Sequence, residues 1–207
     1  MLTLDQTKTL LGDHVEEVFA TPFEKAVGTW HRFVRSNPDM ALPIDATTRA
    51  NMIHNWAAHE VRTALVDHPV AREVSTLGFF AVGFGVNPLV RLKLVNGGRT
   101  SNVATEQQKD LLRQRYDEEA MEALVAEGMP NPPTFLTCGY RLDHAAQLIR
   151  VEIRCGYGGD CLWAWTILGD EGDAGTFEVT TLPLAPDPEP AVVRSTRRAQ
   201  QNSEESR

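Results

Sequence analysis

Cysteine is scarce in this sequence: Cys138, Cys155 and Cys161 are the whole set. An odd, sparse set makes no disulfide framework. It also lacks zinc-site spacing, since no C-x-x-C, no H-E-x-x-H and no Cys/His quartet occurs. The sequence therefore predicts no metal and no cofactor. Phosphate loops are missing as well: neither Gly97-Gly98 nor Gly156-Tyr157-Gly158-Gly159 has the GxxxxGK[ST] or GxGxxG form leading into a helix. No G-x-S-x-G elbow supports serine-type catalysis. Long apolar runs are absent, for Gly78, Gly83, Gly85, Asn87, Pro88, Arg91 and Lys93 interrupt even the richest stretch, 77–94. A membrane span needs ~18 apolar residues. The first residues do not have the basic start and apolar stretch of a signal peptide. A cytoplasmic protein with no membrane association is the expectation.

Positive charge is in deficit too. The 207 residues carry 20 Lys and Arg against 28 Asp and Glu, a formal charge of −8. Such a chain repels nucleic acid and anionic lipid at long range, so nucleic-acid binding is disfavoured unless a local basic patch exists.

What is present is a change of rhythm. Up to about residue 67 the apolar residues recur at helical spacing. Thr3 with Gln6, and Thr21 with Glu24, have capping-box spacing, and Pro22 suits a first helical position, so helices are predicted over about 3–19 and 22–36. A third, from Asp45 or Thr47 to about Asp67, carries the stripe Ile53, Trp56, Ala57, Val61, Ala64 and Leu65. Strand alternation then takes over in 89–95, with Asn96-Gly97-Gly98 as a hairpin turn and 99–103 as the return. Thr105 and Gln108 open a predicted helix to about Glu127. Strands are predicted over 134–142, 147–155 and 161–168, with an edge strand over 176–182. The fold class is thus α+β: N-terminal helices on one face of an antiparallel sheet of four to six strands, with one helix inserted between strands. Residues 1–183 form a single domain, with helices in 3–67 and the sheet in 77–182. The Pro- and charge-rich residues 184–207 read as a disordered tail.

Two groups of residues are candidates for chemistry. On the third helix, Asn51, His54 and Asn55 share one edge and Arg49 lies one turn away; His54 suits a general base with the asparagines orienting a substrate. The same edge also reads as the polar border of the Ile53/Trp56 stripe. On the strands, Arg91, Lys93, Arg141, Arg150 and Arg154 would make a solvent-facing basic patch, partly neutralised by Glu152. Such a patch fits a phosphate, RNA or an acidic partner segment, or is a solvated face of mixed charge. Trp163 and Trp165 flank Ala164 and face one way, as core or as the centre of an interface.

The order of features is itself distinctive: Arg-Ala-Asn-Met-Ile-His (49–54), Leu-Val-Arg-Leu-Lys-Leu-Val (89–95), Gly-Arg-Thr-Ser-Asn (98–102), Thr-Glu-Gln-Gln (105–108), Leu-Thr-Cys-Gly-Tyr-Arg-Leu-Asp (136–143), Ile-Arg-Val-Glu-Ile-Arg-Cys (149–155) and Trp-Ala-Trp (163–165). Over about residues 45–168 this resembles a group of small bacterial and prophage proteins. They are encoded beside a protein that joins a helix-turn-helix domain to a zinc-peptidase-like domain. The resemblance implies the effector, toxin-like half of a toxin–antitoxin or phage-defence pair, neutralised by direct binding of that partner. It carries over no catalytic residue. The alternatives are a non-catalytic antitoxin or inhibitor, and a small hydrolase or nuclease using His54 with the basic sheet face.

Overall fold

The computed structural model describes residues 1–75, 77–96, 99–100, 105–158 and 160–169. The predicted edge strand at 176–182, the tail and part of the 96–103 hairpin lie outside the described residues.

Helix α1 (Leu4–Leu11) starts at Thr3, where both halves of the capping box form, and ends at Gly12, whose φ of 50° favours glycine. A π-helical turn over Glu16–Ala20 runs directly into α2 (Thr21–Ser36). The predicted cap at Thr21 is therefore not used. Thr21 is already helical, so no free amides remain there to be capped. The π-turn widens the spiral and lets three consecutive residues, Val18, Phe19 and Ala20, sink into the core. After a single turn, α3 (Pro38–Ala41), helix α4 (Ala46–Leu65) begins at Asp45, which accepts from the Thr48 N–H at 2.6 Å. Its stripe Ile53, Ala57, Ala58 and Val61 is buried.

Strands β1 (Ala71–Val74), β2 (Ala81–Phe84), β3 (Leu89–Asn96), the two-residue β4 (Arg99–Thr100), β5 (Phe135–Leu142), β6 (Leu148–Tyr157) and β7 (Asp160–Leu168) follow. The sheet order is β1-β2-β3-β5-β6-β7, with β4 paired to β3. The class is α+β, but the sheet is mixed rather than antiparallel, because β3 and β5 run parallel. The chain between them holds α5 (Glu106–Leu112) and α6 (Glu118–Ala126), the kind of long crossover a parallel pair requires. The sheet also starts earlier than predicted, at Ala71 rather than near residue 77.

The predicted single helix after Thr105 is two helices. Gln114 takes φ of 57° between them, and Asp117 caps α6 by accepting from Ala120 N–H at 2.8 Å. Helices α2 and α4 pack with Val90, Leu92, Leu136, Cys138, Tyr140, Val151 and Ile153 on one face of the sheet. On the other face, Leu111 and Leu124 pack with Val74, Ala81, Leu89, Met129 and Phe135. Trp163 and Trp165 are partly buried against the first core, and Trp163 Nε1–H donates to Leu2 O at 3.3 Å.

Candidate functional site

Strand alternation places Arg91 and Lys93 on the same face as Leu89, and register extends that face across the sheet. Arg91 lies opposite Thr137, which lies opposite Arg154; Lys93 lies opposite Gly139, which lies opposite Glu152. The residues between are small, so charged side chains from β3 and β6 face each other across roughly 10 Å of sheet. Arg141 lies opposite Arg150 at the end of β5. The five predicted cations are thus brought onto one face.

They do not form a solvated surface. Arg150 is 6% exposed, Glu152 8% and Arg154 6%. Arg91, Lys93 and Arg141 are half-buried. Glu152 pairs with Arg154 at 3.2 Å and Arg150 at 3.7 Å, which compensates part of the cost of burying these charges. The Arg91 guanidinium stacks over Phe79, 4.4 Å from the ring centre. Burial lowers the basicity of Arg91. For Lys93, burial and then the Arg91 charge bring the pKa down to about 8.

Helix α4, which carries His54, packs on the opposite face of the sheet, with Val90, Leu92 and Tyr140, so the helix candidates and the cationic row stand on different faces of β3. Helix α4 packs against β3. Tyr140, buried against Phe23, donates its hydroxyl to Ala50 O at 3.4 Å, one turn before His54. Burial lowers the His54 pKa, and Lys93 and then Arg91 lower it further. An imidazole so placed is neutral at neutral pH, with one nitrogen ready to accept a proton. Asn51 and Asn55 are exposed and Arg49 is half-buried. The helix therefore turns His54, and not the asparagine pair, inward.

Arg91 and Lys93 lie in the middle of β3, the strand that pairs antiparallel with β2 on one side and parallel with β5 on the other. Half-buried Lys93 and Arg91 suit an anionic group, with positive charge in a partly dry setting.

Sequence reasoning missed two features. A cavity of about 410 Å³ opens between the α1–α2 connection and α4, with Asp13, Glu16, Glu17 and Glu60 among its walls and Lys25 bridging to Glu60 at 3.8 Å. Beside it, His14 and His68 meet edge to face, ring centres 4.9 Å apart. The acidic run 13–17 was the available signal for the first. His68-Pro69 was legible only as a helix stop.

Against protein-family models, curated proteins and solved structures, the chain gives no match. Function must be argued from its own residues.

Proposed function

We propose that this chain is an effector that engages a phosphate-bearing target through the sheet face of Arg91 and Lys93, and that a protein partner holds it in check. One observation carries the site: Arg91, Lys93, Arg141, Arg150 and Arg154 are brought onto one face of the sheet, buried or half-buried there around Glu152. Perturbed groups such as Arg91 and Lys93 concentrate at functional sites. The effector role and the helix-turn-helix/peptidase-like partner are supported by the sequence resemblance over about 45–168. The hydrolytic alternative, with His54 as base and Arg91 and Lys93 holding phosphate, requires one shared pocket, and is not favoured with α4 and the cationic row on opposite faces of the sheet.

The test is growth on controlled expression. The chain alone is expected to slow growth, co-expression of the adjacent gene product to restore it, and Arg91→Met or Lys93→Met to abolish the effect at equal protein level. Normal growth at verified high expression sinks the effector reading. A second reading, a non-catalytic inhibitor, is favoured by the only carboxylate of the set: Glu152 is tied to two arginines and is a poor proton acceptor. Stoichiometric co-purification with a partner, without toxicity, would select it.

A further inference from the structure

We propose that His68 is an acid-released latch: its Nδ1 holds the first backbone amides at the β1 edge of the sheet, and protonation of that atom frees them. His68 lies in the short link between α4 and β1. Its Nδ1 accepts from Ala71 N–H at 2.9 Å and from Val70 N–H at 3.3 Å. A ring nitrogen that accepts carries no proton, so the neutral ring holds its hydrogen on Nε2. Taking up a second proton places it on Nδ1. Two N–H donors then oppose a third, and both bonds are lost.

The surroundings hold the ring neutral. Burial and the His14 charge lower its pKa, and Glu17 opposes them. His14 and Glu17, from the α1–α2 connection, are the titratable groups acting on the ring, with Asp67 as its chain neighbour. What the latch holds is local. Strand β1 has four residues and is the outermost strand in the sheet order, held also by β2, by Gly85 N–H to Val70 O at 2.8 Å, by Arg62 on Glu73 at 3.0 Å, by the Arg72 guanidinium donating to Glu127 O and Gly85 O, and by the burial of Ala71 and Val74. The latch governs its first amides, not the whole strand. Short edge elements open without global unfolding.

The same groups invite a metal reading, since ligand-capable atoms of His14, Glu17 and His68 lie within 4.8 Å of one another. The hydrogen bonds oppose it. A histidine that binds metal through one nitrogen donates a proton from the other, and here the other accepts from two amides.

The sign follows from the depressed pKa. The contribution is complete above the unfolded value of about 6.5 and is lost as pH falls through the lowered folded value. Amide exchange in the full chain tests it. Protection of Val70 and Ala71 is expected to fall by up to about tenfold per pH unit below 6.5, one proton being taken up on opening. His68→Asn places Oδ1 where Nδ1 stands and does not titrate, so protection should survive acid; His68→Ala should lack it at every pH. Three results overturn the latch: wild-type protection indifferent to pH, acid sensitivity unchanged in His68→Asn, or zinc raising the melting temperature of wild type but not of Glu17→Gln. Should the variants fail to fold, the ring 15N spectrum of wild type decides, because a proton on Nδ1 near neutral pH is incompatible with the proposal.

Discussion

Lys93 carries its charge at a cost. In the unfolded chain it titrates near 10.5; in the fold, burial and Arg91 bring it to about 8. Between those values the unfolded chain binds more protons, so this group makes stability rise with pH there, and below about 8 the fold bears the full penalty. In the proposed site, a bound phosphate offsets part of that penalty. Lys93→Met is therefore expected to raise the urea midpoint near neutral pH while weakening binding of inorganic phosphate measured by calorimetry. Wild-type phosphate affinity should itself decline as pH passes 8, approaching that of the variant. A variant with full phosphate affinity would remove Lys93 from the site. His54 works in the opposite pH range: its lowered pKa makes its contribution complete above about 6.5 and lost on acidification. His54→Gln should flatten the acid limb of the stability profile, read from urea midpoints between about pH 7 and 5. Gly139 sets a steric limit in the same row. A Cβ there would stand 2.5 Å from Val95 Cγ2, on a β-branched side chain that cannot swing aside. Gly139→Ala should cost about 1–3 kcal/mol by denaturant titration.

At the scale of elements, the break between α5 and α6 shows how a side chain overrides local rhythm. Gln114 Oε1 accepts from Phe135 N–H at 2.8 Å, and its Nε2 donates to Phe135 O at 2.9 Å and Gly156 O at 3.2 Å. It thus ties the crossover to β5 and β6. Gln114→Ala leaves these part-buried backbone groups without their partner and should cost about 1–3 kcal/mol, seen as a lower urea midpoint. An unchanged midpoint would mean water replaces the amide freely. None of this is visible locally, since residues 105–127 carry good helix formers and the clamp depends on β5. The same limit hid β1 and β2, four-residue strands made by their neighbours rather than by alternation. What local chemistry sets was legible: the Thr3 box, the Asp45 and Thr105 caps, the α4 stripe, and the bounds of β3, β5, β6 and β7 to within two residues. The cationic residues were legible as one face, because two-residue alternation is local. Their burial was not, and neither was the placing of His54 on the opposite side of the sheet, because each depends on which elements the tertiary fold stacks together.

For the whole molecule, charge is segregated. The chain carries −8 formally, yet Arg91, Lys93, Arg141, Arg150 and Arg154 share a face with Glu152 as their internal counter-charge. The two scales of field act on different ligands. A small phosphate ester experiences mainly the local cations, whereas a long duplex must also approach the acidic bulk. Screening reaches about 8 Å at physiological salt, so the bulk field matters most at low salt. A monoester should therefore bind tightest at low salt and weaken steadily as salt rises. Duplex DNA should bind worse than the monoester at low salt, instead of showing the steep low-salt gain that polymer counterion release gives a basic protein. Binding measured across about 20–300 mM salt separates the cases. Duplex binding stronger than monoester binding at the lowest salt would show that the local patch governs approach, and the phosphate-bearing target would then be nucleic acid despite the acidic chain.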